Sequence, residues 1–434
     1  MEYFHSVTLD RDKCHGCTNC ITHCPTEAIR VQNGKAKIIK ERCIDCGECV
    51  RVCQSHAKVV AADSFKMLND FEYNIAMPAP SFYGQFASEI SIGQVLAAFR
   101  KIGFDHVFEV ARGAEYVSAA TRELLKSGSL KKPIINSACP AVLRLIRERF
   151  PDLLDNVLNI ISPMEVAAKL ARDEAFEKTG IPKEKIGVFF ITPCPAKVTS
   201  VKAPLTLDKS NVSGVITAKD AFNKICPIIE DTEGDNSLCT SAYEGIFWAS
   251  SGGESLGSGA KDTVAVDGIH NVITVLEEIE NGKMATVEFV ELSACISGCN
   301  GGPLNVVNPF LSSSRISFQS KTKPELKEIE NLDIDMLKWQ KRVEGRPVHP
   351  LDDDLDEAMR KMELMDKIYE RLPKLDCGSC GSPNCKSLAE DIVRGFAREN
   401  DCIFLMKERL KRLAKELFKL NDNYQDEDGE IYES

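Results

Sequence analysis

The residues of this chain that could do chemistry are its cysteines, eighteen of them, and their spacing says what that chemistry would be. In Glu291-Leu-Ser-Ala-Cys295-Ile-Ser-Gly-Cys299-Asn-Gly-Gly-Pro303, two thiols follow the apolar run Ala285 to Val290, which reads as a buried strand. Thiolates leaving a strand end suit a metal, and the glycines let backbone wrap closely around something bulky. A lone C-x3-C reads equally well as two buried small hydrophobes. Two further loops share its grammar. Asn136-Ser-Ala-Cys139-Pro140 follows Pro133 to Ile135, and Thr192-Pro-Cys194-Pro-Ala-Lys197 follows Ile186 to Ile191. Ligands in open α/β sheets gather outside the carboxyl ends of strands, so three such loops could carry four thiolates into one crevice.

Near the N-terminus, Cys14, Cys17, Cys20 and Cys24 have the spacing C-x2-C-x2-C-x3-C-P, and Cys43, Cys46, Cys49 and Cys53 repeat it, with Gln54 where the first run has Pro25. This doubled run is that of two-cluster bacterial ferredoxins, in which the fourth cysteine ligates the other cluster. One [4Fe-4S] cube is therefore assigned to Cys14, Cys17, Cys20 and Cys53, the second to Cys43, Cys46, Cys49 and Cys24. His15, His23 and His56 read as surface residues beside them. At the other end, Cys377, Cys380, Cys385 and Cys402 form C-x2-C-x4-C-x16-C. That pattern could hold zinc or iron-sulfur; beside so many iron-type motifs we assign a further [4Fe-4S] cluster. Cys226 and Cys239 lie outside every motif and read as small buried hydrophobes.

The elements that must position these groups follow from pattern. A length of 434 residues suggests two or three domains at ~150 residues each. Strand-helix alternation implies an α/β core with largely parallel pairing. Strands are expected at Tyr73 to Ala76, His106 to Ala111 and Gly214 to Thr217. Helices are expected at Ser91 to Ile102, Ala114 to Lys126, Ala141 to Phe150, Pro163 to Lys178 and Ala218 to Ile225. Residues 231–260, rich in Gly and Ser, read as a long loop, with Gly252-Gly253 lining the crevice or merely turning. Helices dominate from Pro324 onward. The expected division is 1–65, a two-cluster ferredoxin-like domain; 66–320, the domain of the three loops; 321–365, a helical linker; 366–421, an iron-sulfur module with a helix; and 422–434, an acidic, disordered tail.

Composition limits the partners. A net charge of −11 lacks the basic footprint of a nucleic-acid binder. No stretch has the length of a membrane span and the first residues lack a secretory signal, so a cytoplasmic protein is expected, where thiols stay free for metal. In the last helix, Ile403, Met406, Leu410, Leu413, Leu417 and Leu420 alternate spacings of three and four, an a/d seam that could pack on the protein's own core, on a partner helix or on a second copy.

Taken with the ferredoxin-like front, the three loops resemble those of the FeFe-hydrogenases over about residues 5 to 310. The resemblance implies an α/β catalytic domain of two lobes, preceded by the two-cluster module and followed by a small helical iron-sulfur module. It implies that Cys139, Cys194, Cys295 and Cys299 hold the [4Fe-4S] half of an H-cluster, four such cubes in all. Cys299 would also bridge to a diiron half with carbonyl, cyanide and dithiolate ligands. Lys197 would hydrogen-bond one cyanide, Ala79, Pro80 and Ser81 resemble the segment holding the other, and Phe247 resembles a pocket-lining aromatic.

The departures from that family are informative. Where hydrogen-producing members have a proton-passing cysteine before the first cluster ligand, this chain has Ala138, and the rest of their relay aligns with Ala120, Ser200 and Leu158. Ser293 and Thr192 replace methionines, and Met164 a polar side chain. A placed acid-base group contributes ~10²–10⁴ in rate, so its loss implies slow turnover. With the C-terminal module, this resembles the sensory branch of the family: a slow enzyme interconverting hydrogen and protons, with a redox or signalling partner and separate maturation proteins. The alternatives are a non-catalytic iron-sulfur scaffold, as in hydrogenase-like assembly factors, and an ordinary hydrogenase with another proton path.

Overall fold

A computed structural model describes residues 4–325, 329, 332–346 and 351–422 of the chain, with side chains to residue 417. Its centre is the strand Ile186–Thr192, buried at all seven positions, the unbroken apolar run expected of a central parallel strand. Tyr73–Pro78 pairs with it in parallel on one side and Gly214–Thr217 on the other, and His106–Val107 completes a four-stranded sheet beyond Tyr73–Pro78. A second parallel sheet has Phe289–Ser293 at its centre, between Thr263–Asp267 and Ile134–Ile135. Each sheet organises its own core. Phe82, Phe99, Phe104 and Phe189 pack around the first, and Ile135, Val290 and Leu292 meet Leu145 and Ile146 around the second.

The N-terminal module pairs Val7–Leu9 with Lys58–Val60 and Ile29–Gln32 with Lys35–Ile38, both antiparallel, with short helices Asn19–Thr22 and Glu48–Arg51 between them. The C-terminal module consists of the helices Leu355–Arg371, Cys385–Val393 and Ile403–Asp422 around a small core with Met365, Ile368 and Leu388. The expected class, α/β with an iron-sulfur module at each end, holds.

Local patterns locate most elements well. Ser91 caps Ile92–Lys101 with a complete capping box, and Pro163 opens Pro163–Thr179. Four expectations need correction. The strand expected over Ala285 to Val290 starts at Phe289 and runs on to Ser293, because pairing with Thr263–Asp267 sets its register. His106 to Ala111 is strand only to Val107, and a helix, Val110–Ser127, begins where a longer strand was expected. Residues 231–260 are not one loop: they include the short helices Tyr243–Phe247 and Gly253–Ser258. Cys226 is exposed, not buried. A helix at Pro309–Ser320 escaped the pattern, and the acidic tail beyond residue 422 lies outside the described residues.

Candidate metal centre

The carboxyl ends of both sheets face one cavity of about 80 Å³, where roughly 10–15 Å³ holds a single water. Cys139, Cys194, Cys295 and Cys299 all line it, with Lys197, Ala79, Pro80 and Ala138. Cys194 and Ala79 come from the first sheet, the other three cysteines from the second, so neither lobe alone makes the site. Cys139 and Cys194 each stand immediately before a helix whose first residue is proline, Pro140–Arg149 and Pro195–Lys202. Proline costs no hydrogen bond there, and the positive end of the helix favours an anionic thiolate. The Cys295–Cys299 turn depends on glycine: Gly298 has φ +65°, and a Cβ on Gly302 would collide with the Pro193 carbonyl oxygen. We therefore expect Gly302→Ala to force this turn off the Cys194 loop and to lower the iron bound per chain, measured by iron analysis beside the parent chain.

The four thiols lie within one another's fields. Burial pushes Cys194 up to about 11 and Cys299 up to about 12, and neighbouring cysteines add to both shifts; Cys295 is raised well above the ordinary range by the same causes. Cys194, Cys295 and Cys299 therefore stay protonated until a cation takes the protons' place, as coordination of a thiol does. An all-thiol donor set is that of an iron-sulfur cube, and Ser81 Oγ and Glu254 Oε1, both buried, have no hydrogen-bond partner. The residues fit the group.

Lys197 Nζ donates to the Ala138 carbonyl at 2.9 Å. Ser81 is buried but not on the wall. Phe247, expected in the wall, stacks on Tyr243 at 5.5 Å instead, and the neighbouring Trp248 lines the cavity. Ser293 and Met164 are in the wall; Ala120 and Leu158 are buried in apolar surroundings. Sequence reasoning missed Glu254. It lines the cavity, with Oε2 accepting from Asn136 Nδ2 at 2.6 Å. Burial, then the charge of Glu291, raises it to about 8. Glu291 also lines the wall; burial raises it as well, and the amides of Gly252 at 2.9 Å and Ser255 at 2.8 Å, which donate to its carboxylate, only partly oppose that rise. Glu291 holds backbone, and Glu254, at about 8, holds a proton at neutral pH.

The other cysteines assemble as expected. Cys20 lies in the field of Cys17, Cys14 and Cys53, while Cys43, Cys46 and Cys49 all feel Cys24. Cys53 thus lies with the first run and Cys24 with the second, the exchange expected of the two sets. Ala28 and Ala57 donate their amides to Cys24 and Cys53 sulfur, each at 3.2 Å. Cys380 feels Cys402 and Cys377, and Cys385 shares a small core with Cys380 and Cys402. His15, His23 and His56 are exposed. His5, Cys43 and Asp45 bring potential ligand atoms within 4.8 Å of one another, but Cys43 belongs to a cube set, and Asp45 accepts from Ser6, Val7 and Thr199.

These groups adjoin one another. Cys46 packs in the same apolar cluster as Cys139 and Cys194, and Arg51 donates to the Gly301 carbonyl at 3.0 Å, so the Cys24/Cys43/Cys46/Cys49 set adjoins the cavity. Val31 lines the space among Cys14, Cys17, Cys20 and Cys53, and its amide donates to the Gly381 carbonyl at 2.8 Å, next to Cys380. The C-terminal set thus adjoins the ferredoxin-like pair, and Arg42 and Glu27, near Cys43 and Cys24, also bond to its module through Glu390 and Asn384.

Residues 72–255 and 251–303 match the family model "Iron only hydrogenase large subunit, C-terminal domain", residues 6–54 a 4Fe-4S dicluster domain, and residues 372–404 an Fe-S cluster domain. The chain is 24% identical over 379 residues to iron hydrogenase 1 of Clostridium pasteurianum, covering 70% of this chain and 66% of that one. It is 27% identical over 226 residues to the NADP-reducing hydrogenase subunit HndD of Solidesulfovibrio fructosivorans, covering 44% and 39%. With the cytosolic Fe-S cluster assembly factor NAR1 of Saccharomyces cerevisiae it shares 25% identity over 174 residues, 38% of this chain and 35% of that one. The chain therefore spans less than two thirds of the length of these relatives. The solved fold of apo [FeFe]-hydrogenase HydA1 from Chlamydomonas reinhardtii superposes with a TM-score of 0.50 at 15% identity, covering 65% of this chain and 99% of that one. Among the described residues, no helix is long and apolar enough to cross a membrane.

Proposed function

This chain belongs to the iron-only hydrogenase family and is a hydrogenase-like iron-sulfur protein; from that premise we propose that it interconverts hydrogen with protons and electrons slowly, at an H-cluster, and reports hydrogen rather than consuming it. The observation that carries the reading is the cavity itself, whose four thiols stand with Lys197, Ala79 and Pro80. A scaffold for cubes alone has no need of a buried ammonium there. When bound, the diiron half supplies the open metal position at which hydrogen is split or formed. Cys299 would hold the diiron half as well as the cube, and Lys197, with Glu165 and Glu254 in its field, would hydrogen-bond one cyanide. Ala138 offers no exchangeable proton, and Ala120 and Leu158 interrupt the family's relay with apolar packing. Glu254, inside the wall, is the carboxyl that can carry a proton in its stead. The Cys24/Cys43/Cys46/Cys49 and Cys14/Cys17/Cys20/Cys53 sets would hold cubes that carry electrons away from the cavity, and the Cys377/Cys380/Cys385/Cys402 set would hold a further one for a redox or signalling partner.

Infrared bands of metal-bound carbonyl and cyanide after loading with a synthetic diiron cofactor test the reading; their absence sinks it. In loaded protein, Ala138→Cys restores one relay group and raises hydrogen turnover by up to ~10²; unchanged turnover at full loading overturns the account of the missing relay. The second reading, an assembly scaffold, draws on the likeness to NAR1 and the apolar relay positions. It expects cubes without those infrared bands.

A further inference from the structure

We propose that the terminal helix, Ile403–Asp422, joins two copies of this chain, and that the paired helices run antiparallel. Leu405 packs in the small core of the C-terminal module, which fixes the first turn. Beyond it, every residue from Met406 to Leu417 is exposed, so the helix does not lie on its own core. Twenty residues give a rod of about 30 Å, and in proteins most of a helix's stability comes from packing its amphipathic face. The face is present. Ile403, Met406, Leu410, Leu413 and Leu417, spaced three and four apart, are between 42% and 66% exposed and form an a/d seam.

The charges beside the seam choose the occupant and its direction. Flanking e and g positions set partner and orientation in such pairs. Here they are Lys407, Arg409, Ala414 and Glu416. In a parallel, in-register pair each g position faces the following e position, so Arg409 meets Ala414 and Glu416 meets residue 421, an asparagine; neither finds an opposite charge. In an antiparallel pair, Leu410 stacks on Leu413 of the second copy and Met406 on its Leu417. Arg409 then faces Glu416 of the second copy, twice by symmetry, and Lys407 faces Ala414. A two-fold arrangement in which the same surface meets itself is the commonest closed assembly. The seam and its charges are thus self-complementary in one direction only.

Sedimentation of the full chain with its clusters, over a range of micromolar concentrations, should return a dimer. Leu410→Glu combined with Leu413→Glu should leave it monomeric with unchanged iron content, since neither side chain touches the core. Arg409→Glu and Glu416→Arg should each weaken association severalfold, and the two together in one chain should restore it. A chain that is monomeric throughout, or a dimer that survives the paired leucine changes, overturns the interface. Charge reversals without effect, or without mutual rescue, overturn the antiparallel direction.

Discussion

Glu254→Gln is expected to lower hydrogen turnover by ~10²–10⁴ while leaving cluster content intact, because it keeps the shape and the Asn136 hydrogen bond and removes only the transferable proton. Asn136 holds the carboxyl in place: its Oδ1 accepts from the Leu292 amide at 2.8 Å, which turns its Nδ2 to Glu254. The groups facing Glu254 are Glu291, which raises it after burial does, and Lys197, which lowers it. With a value of about 8, Glu254 is protonated at neutral pH and can donate, and it loses that proton as the pH rises through 8. Turnover limited by donation therefore falls on the alkaline side, and the glutamine variant lacks that limb. Stability moves with it. The folded value lies above the ordinary 4.5, so the folded state binds the extra proton, and the advantage is full below about 4.5 and lost as the pH rises through about 8. In cofactor-free protein, Glu254→Gln should flatten this loss, whose ceiling is ~5 kcal/mol. The infrared stretch of a protonated buried carboxylic acid, absent from the variant, reports the same proton without any turnover. Equal turnover and pH profiles in the loaded variant and the parent would remove Glu254 from the proton route.

The cysteine chemistry was legible in the chain because ligand spacing is local. C-x2-C-x2-C-x3-C dictates short helices and turns whatever surrounds them, and the Cys-Pro pairs mark a strand handing over to a helix. The seven-residue strand at Ile186 was legible for a similar reason, since an unbroken apolar run has few other uses. Glu254 was not. Its neighbours in sequence, Gly252, Gly253 and Ser255, signal only a turn, and its role depends on Asn136 and Glu291, which lie far away in sequence. The same holds for Phe247 and Trp248: which of two adjacent aromatics faces the cavity is set by the rotation of the short helix Tyr243–Phe247, whose first ring stacks on Phe247. Register also escaped local reading, as the strand at Phe289–Ser293 shows, because it is chosen by pairing with Thr263–Asp267. The adjacency of the four cysteine sets was equally invisible, because it rests on contacts between modules such as Val31 with Gly381.

One buried ion pair is among the contacts that join the N- and C-terminal modules, and breaking it should cost far more stability than breaking an exposed pair. Arg30, on the strand Ile29–Gln32 of the N-terminal module, donates from Nε to Asp391 of the C-terminal module at 2.5 Å, and both side chains are buried. Ser382 donates to the same carboxylate oxygen at 2.8 Å. Asp391→Ala leaves a buried guanidinium without its counter-charge, a loss of ~3–5 kcal/mol, whereas removing the exposed Arg371–Glu399 pair should cost ~0–1 kcal/mol. Anaerobic denaturation of the cluster-loaded protein measures both. Because the arginine's unpaired charge, more than the lost attraction, makes the single change costly, Arg30→Met with Asp391→Leu should recover most of the loss. If the two modules separate, hydrogen exchange should rise in Ile29–Gln32 and around Gly381, and the magnetic coupling between the Cys14/Cys17/Cys20/Cys53 cluster and the C-terminal cluster should weaken while iron content stays constant. A single variant that loses no more than the exposed pair does, with that coupling intact, would mean that the modules are held by something other than this bond and that the adjacency of the clusters does not depend on it.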